Sequence, residues 1–297
     1  MRPFTAEPGH TQDFFAVRDF LVRINAREVR TPGFLWGRWE WAFALPYLDT
    51  SALDRIGVAE RDGRIVALAT YEQAPGEAWL LVDPAHRDLL PALVDHALDC
   101  LSVDGRLRVM VPDDDAELAG LVADRGLARA PDGEPNSALA LDADLGYALP
   151  EGFRTLGLDE TWDLELLHRL MHRGFGHPGE PDVSEAELAW RRRSTEAPGQ
   201  RPDLQIVVEA PDGGYAAFCG TWLWPGGDYA MVEPVCTDPT WRLQGCGRAA
   251  VLEAVRRCRD LGARVAYVGS DQQFYARLGF RAALGGTWWA TPGSPSE

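Results

Sequence analysis

Two short stretches in the last third of the chain combine residue types and spacings that could do chemistry. The first is Asp238-Pro239-Thr240-Trp241-Arg242-Leu243-Gln244-Gly245-Cys246-Gly247-Arg248, lying between a strand-like run, Tyr229–Thr237, and an amphipathic pattern, Gly247–Leu261. The first amides of a helix have no partner within it, and its dipole places positive charge there, so this junction is a ready anion site. Glycines at 245 and 247 let the backbone come close to a diphosphate. The order R-x-x-G-x-G is neither the P-loop, since no Gly-Lys-Ser/Thr follows, nor the dinucleotide G-x-G-x-x-G. The second stretch, one helix and one strand further on, is Phe274-Tyr275-Ala276-Arg277-Leu278-Gly279-Phe280. Its phenol, with an ordinary pKa of ~10, can give a proton to a leaving group or simply pack with a satisfied hydroxyl.

Short apolar runs alternate with longer helical patterns, which is the signature of an α/β or α+β fold. In the first half the pattern gives a helix over Phe14–Ala26 and strands over Arg55–Glu60 and Arg64–Tyr71, joined at the hairpin signal Asp62-Gly63. A strand at Trp79–Val82, a helix at Leu90–Leu101, a strand at Arg106–Val111 and a helix at Ala116–Asp124 follow. The second half repeats the order: helices Leu164–Arg173 and Ser184–Arg193, then strands Leu204–Glu209, Tyr215–Trp224 and Tyr229–Thr237. A helix at Gly247–Leu261, a strand at Arg264–Gly269, a short helix at Gln272–Leu278 and a strand at Thr287–Thr291 complete it, with a frayed tail from Pro292. Asp83-Pro84-Ala85-His86-Arg87 matches Asp238-Pro239-Thr240-Trp241-Arg242, and Gly126 matches Gly279, at offsets of 155 and 153 residues. The two near-equal offsets read as a duplication, with domains 1–145 and 146–297.

The 297 residues carry a net charge of −16, and all 29 basic residues are arginine. That balance argues against nucleic acid as a partner and favours cationic ligands, although it also serves solubility alone. The start lacks the basic-then-apolar order of a secretory signal and no run suits a membrane span, so the chain reads as cytoplasmic. Five cysteines without a C-x-x-C pair read as reduced core residues. His168 and His172 have helical spacing but lack the Glu of the zinc-protease motif, so no metal is expected.

R-x-x-G-x-G followed by F-Y-x-x-x-G-F resembles the GCN5-related N-acetyltransferase (GNAT) superfamily, most specifically between Glu233 and Phe280. The duplication resembles the tandem GNAT arrangement, in which each domain is a mostly antiparallel twisted sheet flanked by helices. The resemblance implies acetyl-CoA as cofactor, with Arg242, Leu243, Gln244, Gly245, Cys246, Gly247 and Arg248 on the pyrophosphate loop. It places Val235, Cys236 and Thr237 on the strand edge that pairs with pantetheine, and Ser270 and Asp271 where many relatives have Asn. It assigns Tyr275 the general acid that protonates the departing thiolate. An alkyl ammonium must lose a proton before attacking; Glu233 is the candidate base, directly or through water, or else an ion-pairing or substrate-orienting carboxylate. A backbone amide near Val235 or Cys236 would stabilise the oxyanion.

The repeat offsets carry Gly245, Cys246 and Gly247 onto Leu90, Pro91 and Ala92, and Phe274 and Tyr275 onto Leu121 and Val122. Bulk replaces the open glycine, proline removes an amide and the acid is gone, so the first domain is expected to be a degenerate, non-catalytic copy. The resemblance puts the acceptor pocket at the loop between the second half's first two helices. Phe175, His177 and Glu180 lie there with Asp182, and Trp222 and Trp224 on a nearby strand could add a flat wall or pack as core. The aromatic cluster Leu35–Trp41 reads as core or a domain seam. The expected function is acetyl transfer to a primary amine on a small cationic molecule such as an aminosugar or an amine-bearing antibiotic. The alternatives are a protein or peptide amine as acceptor, or a non-catalytic acyl-CoA-binding regulatory module, and both a monomer and a homodimer are compatible with it.

Overall fold

The structure, a computed structural model, is described for residues 1–293; the part of the expected frayed tail from Ser294 lies outside that range. The chain forms two compact units, Met1–Asn136 with the segment from Ala282 onward, and Ser137–Arg281. A single cut at residue 145 does not describe them. Leu141 and Leu145 are buried in the core of the second unit, and the Tyr147 hydroxyl donates to Glu253 Oε2 at 2.9 Å on that unit's main helix.

The first unit runs β1 (Arg2–Pro3), α1 (Gln12–Ile24), α2 (Trp36–Ala44), β2 (Gly57–Arg61), β3 (Arg64–Thr70), β4 (Glu77–Val82) and α3 (Leu90–His96). It continues with β5 (Arg108–Pro112), α4 (Ala116–Asp124) and β6 (Ala128–Ala140), whose last residues pass into the second unit. Neighbouring strands β1 to β4 are antiparallel, and β4 pairs with β5 in parallel. The Asp62-Gly63 turn has φ of 52° and 72°, the left-handed pair that a two-residue hairpin requires. Trp36 and Trp39 are buried, and the Trp39 indole donates to the Phe14 carbonyl at 3.1 Å, so this aromatic cluster is core on a helix the sequence pattern did not reveal.

The second unit comprises β7 (Arg154–Gly157), α5 (Leu164–Gly174), α6 (Glu185–Ser194), β8 (Gln205–Glu209), β9 (Tyr215–Leu223) and β10 (Tyr229–Thr237). Then come α7 (Cys246–Asp260), β11 (Val265–Val268) and α8 (Gln273–Leu278). Strands β7 to β10 are antiparallel, β10 pairs with β11 in parallel, and β11 pairs antiparallel with residues 137–140 of β6. Asp163 and Ser184 cap α5 and α6 by accepting from Leu166 and Glu187 amides, as the sequence spacing predicts for Ser184.

Three elements depart from the sequence pattern. The expected strand at Thr287–Thr291 is the longer β12 (Arg281–Ala290), which pairs with β5 and belongs from Ala282 to the first unit. The sequence pattern assigns no element to the stretch that holds Pro131, Gly133 and Pro135, yet β6 runs through it. A Cβ on Gly133 would stand 2.2 Å from the Gly286 carbonyl, so close backbone approach in β6 and β12 explains glycines that a propensity argument counts against a strand. The helix expected over Leu90–Leu101 changes to a π-turn at Ala97–Leu101.

Glu253 fixes α7 to its surroundings. Its nearly buried carboxylate accepts from Arg256 at 2.7 Å, Arg257 at 2.9 Å and Tyr147 at 2.9 Å. Burial alone would raise its pKa, but the arginine and tyrosine hydrogen bonds outweigh it and hold the carboxyl below its ordinary range. A folded pKa below the unfolded value stabilises above the unfolded pKa, and the gain disappears as pH falls through the folded value. Glu253→Gln should therefore cost about 2 kcal/mol at neutral pH, the worth of charge-assisted bonds to a buried group. Thermal denaturation should show the difference from wild type closing as pH drops below about 4.

Candidate active site

The site is built where β10 leaves its parallel neighbour. β10 pairs with β11 only at Tyr229, Ala230 and Met231, opposite Val265, Ala266 and Tyr267, but continues to Thr237. Its other side stays paired with β9 at Val235, Cys236 and Thr237 after a register shift between Val232 and Val235. Gly220 on β9 makes room for that irregularity: a Cβ there would lie 2.6 Å from the Glu233 carbonyl. The β11-facing amides and carbonyls from residue 232 onward thus form a strand edge that can pair with an extended amide-bearing ligand.

At the end of this edge the chain turns into α7. Leu243 has φ of 64° and is fully exposed, and Gly245, the N-cap of α7, has φ of 91°. A bulky non-glycine residue held left-handed with its side chain in solvent is costly, and such residues cluster at ligand loops. The first main-chain bond closing onto the cap is Ala249 N–H to Gly245 O at 2.9 Å, so the amides of Cys246, Gly247 and Arg248 precede the helical ladder. Left-handed turns beside free helix amides make a concave donor array that suits a diphosphate.

Gly247 has a different task from the one its spacing suggested. A Cβ there would stand 2.6 Å from Thr237 Oγ1 and 3.5 Å from the Phe274 ring, so glycine lets α7 rest on the end of β10. Gly174, the last residue of α5, is used likewise, since a Cβ would lie 2.8 Å from Cys236 Cβ. Arg242 ties these parts together, donating to the Thr237 carbonyl at 3.4 Å and to the Gly174 carbonyl at 3.1 Å. Arg248 donates to the Gly146 carbonyl at 3.0 Å.

A cleft of about 470 Å³ joins these residues. Of those singled out in the sequence, Val235, Cys236, Thr237, Arg242 and Leu243 line it, as do Gly245, Cys246, Gly247, Arg248 and Tyr275. Gln244 does not line it and instead donates to the Thr240 carbonyl at 3.3 Å. Ser270 and Asp271 are also outside; the Ser270 hydroxyl accepts from the Gln272 amide at 3.2 Å and supports the start of α8. Gln272, Phe274, Trp241 and Gly174 line the cleft and were missed. Gln272 and Phe274 flank the tyrosine in sequence, but nothing in a one-turn helix pattern tells which residues face a cavity.

Tyr275 is 8% exposed, with its ring edge-on to Phe280 at 5.6 Å. Burial raises the phenol well above its ordinary pKa, and Cys219, Glu233 and Cys236 add to the shift, which also places Glu233 in its electrostatic neighbourhood. A raised phenol pKa means that the proton is held at neutral pH and is available to a stronger base formed beside it. Burial likewise pushes the Cys236 thiol up to about 12 and the Cys219 thiol well above its usual value. Neither sulfur is a thiolate nucleophile at neutral pH.

The expected acceptor residues divide. Trp222 is fully buried and its indole donates to the Glu233 carbonyl at 2.9 Å; it is core that fixes β10, not a substrate wall. Alternation identified its strand face but could not tell that this face is covered. Trp224 lies just past β9. Phe175 is half exposed at the end of α5, the His177 ring lies tilted against that of His172 with centroids 5.4 Å apart, and Glu180 reaches Arg173 at 3.5 Å. Arg191 on α6 is buried, and it adds to burial in lowering the His168 pKa.

The acetyltransferase (GNAT) family matches residues 164–280. Over 97 residues the chain is 33% identical to a mycothiol acetyltransferase from Nocardiopsis dassonvillei, covering 30% of this chain and 29% of that protein. The matched stretch is thus less than a third of that relative. A tandem GNAT protein from the clavulanic acid biosynthesis pathway aligns in structure over 100% of this chain and 99% of its own, with a TM-score of 0.63 and 18% identity. A GCN5-related N-acetyltransferase from Sphaerobacter thermophilus aligns over 100% and 96%, with a TM-score of 0.61 and 15% identity. At those identities the likeness establishes the fold.

If the amides of the α7 turn bind a diphosphate, Gly245→Ala should weaken coenzyme A binding about tenfold in calorimetry, because alanine in the left-handed region costs ~1–2 kcal/mol. Gly247→Ala should do the same through Thr237, and Thr237→Ala in that background should recover most of the loss.

Proposed function

We propose that this chain, whose residues 164–280 match the acetyltransferase (GNAT) family and whose fold is like that of a tandem GNAT protein, is an acetyl-CoA-dependent N-acetyltransferase. Its acceptor on this reading is a primary amine of a small, cationic molecule, such as an aminosugar or an amine-bearing antibiotic. The observation that carries the reading is the open β10 edge ending at the left-handed turn before α7. The partial likeness to a mycothiol acetyltransferase supports acetyl as the group transferred.

Acetyl-CoA, when bound, supplies an activated acyl thioester. The amides after Leu243 hold its diphosphate, and the β10 edge at Val235–Thr237 orients its amide-bearing arm by strand-like bonds. A main-chain amide at Val235 or Cys236 meets the acyl oxygen as negative charge grows on it. Glu233 takes a proton from the incoming ammonium, directly or through water, so that the nitrogen lone pair can attack. Tyr275, protonated because it is buried, gives its proton to the sulfur as the carbon–sulfur bond breaks, and the second proton that the nitrogen sheds on becoming an amide restores the phenol. The Cys236 thiol, which stays protonated, supports direct transfer over an acyl-cysteine relay.

The first unit is proposed to be non-catalytic. Where the second unit makes its left-handed turn, the first runs from a 3₁₀ segment at Pro84–Leu89 straight into α3, and Leu90 donates to the Arg87 carbonyl. Leu90 and Val122 are buried, filling positions that correspond to the glycine turn and the tyrosine.

Tyr275→Phe tests the mechanism: turnover of acetyl-CoA with a panel of amines should fall by about 10²-fold or more while coenzyme A affinity stays within about twofold. In wild type no alkaline loss of kcat should come from Tyr275 up to about pH 10, since the phenol keeps its proton there. An alkaline limb below that pH which vanished in Tyr275→Phe would contradict the assignment.

A further inference from the structure

Arg242 belongs to the turn before α7, yet its side chain is engaged at the end of another helix, α5. Nη2 donates to the carbonyl of Gly174, the last residue of α5, at 3.1 Å and across 68 positions of sequence. Nε donates to the carbonyl of Thr237, the last residue of β10, at 3.4 Å. The last carbonyls of a helix have no partner within it and carry the negative end of its dipole. A guanidinium placed there is a C-terminal cap, supplied in this case by the turn that the coenzyme reading assigns to the diphosphate.

The cap does not exhaust the group. Nη1 has no hydrogen-bond partner among the described residues, and Arg242 forms no ion pair with a carboxylate among them. Arg242 is exposed and lines the cleft together with Gly245, Gly247 and Arg248. Carbonyl bonds leave its charge unneutralised. A planar guanidinium, with its donors in a fixed fork, can hold main-chain oxygens and a phosphate oxygen at once.

What the cap holds is the start of the acceptor loop. Gly174 seats the end of α5 on β10, since a Cβ there would lie 2.8 Å from Cys236 Cβ and 3.4 Å from the Thr237 amide nitrogen. Phe175, Gly176 and His177 then return their amides to the carbonyls of Met171, Arg173 and His172, each at 3.0 Å. Past them the loop is tied back to α5 by the His172 ring at the Gly179 carbonyl, 3.2 Å, and by an exposed ion pair of Glu180 with Arg173 at 3.5 Å. Arg173 also reaches Asp238 at 3.7 Å, a longer contact than the bond of Arg242 to Gly174. Half-exposed pairs of this kind contribute little. The placement of Phe175, His177 and Glu180 therefore depends on how firmly the last turn of α5 is held at Gly174.

We infer, on the acetyl-CoA reading of the α7 turn, that Arg242 is a positioning residue through which coenzyme occupancy orders the acceptor loop, a role that rests on that reading and deepens it. A diphosphate on the turn fixes Leu243 and its neighbours, the guanidinium is fixed with them, and the end of α5 stops fraying. Residues 175–182 then present one arrangement to the amine instead of several. The coupling is reciprocal, so an acceptor that orders the loop tightens coenzyme binding by the same factor.

Hydrogen–deuterium exchange of the full chain tests this with coenzyme A as the probe, in wild type, Arg242→Met and Arg242→Lys, each saturated. In wild type, coenzyme A should slow exchange at residues 175–177 about tenfold, alongside protection at residues 243–248. In Arg242→Met, which keeps the stem and removes the donors, protection at 243–248 should persist while exchange at 175–177 returns to within about twofold of the coenzyme-free protein. Arg242→Lys, a cation without the fork, should restore part of the protection at 175–177. Protection at 243–248 with none at 175–177 in wild type, or equal protection at 175–177 in wild type and Arg242→Met, would overturn the coupling and leave the coenzyme site standing. No protection at 243–248 would overturn the coenzyme site and the coupling with it.

Discussion

The parallel pairing of β10 with β11 stops after three residues, and the rest of the second unit depends on where it stops. Met231 still faces Tyr267, but six further residues of β10 follow with β9 on one side only. Exposed main-chain donors and acceptors inside a protein demand partners, and an irregular strand with glycine opposite is a common way to end pairing without breaking the sheet. Gly220 supplies the space and the Trp222 indole holds the Glu233 carbonyl, so the opening is fixed by packing on the β9 side. That is how a strand edge can be open toward a ligand and rigid at the same time.

The turn into α7 works by the same economy of side chains. Gly247 is absent of a Cβ because Thr237 occupies the place, and Arg242 clasps the carbonyls of both Thr237 and Gly174. The helix behind it is anchored by Glu253, through two arginines and Tyr147. Rigid support of this kind matters for an anion site made of amides, because backbone dipoles stabilise charge only if they do not have to reorganise around it. The first unit has the same strand order around its own parallel pair, β4 with β5, but its corresponding segment folds directly into helix. One architecture thus carries an amide-lined turn in one copy and a closed helical junction in the other.

Local chemistry made much of this legible in the sequence. Asp62-Gly63 and the cap at Ser184 each have a specific steric or hydrogen-bonding cause that acts within a few residues, and each stands where the sequence placed it. Tyr275 was singled out because two motifs stand in the right order. What was missed depends on contacts distant in sequence. β6, which contains Pro131, Gly133 and Pro135, was not assigned, and only the nearness of Gly286 explains Gly133. Trp222 stayed open between a substrate wall and core because alternation assigns a face without saying what covers it; it is buried. Gln272 and Phe274 were passed over for Ser270 and Asp271 because the direction of a one-turn helix is set by its packing on the sheet.

Hydrogen–deuterium exchange with and without coenzyme A addresses the central claim most directly, since it reads the backbone amides themselves. Protection on binding should concentrate at residues 243–248 and along residues 232–237, with residues 84–92 of the first unit unchanged. Protection at 84–92, or none at 243–248 under saturating coenzyme A, would contradict the assignment of the α7 turn as the diphosphate cradle.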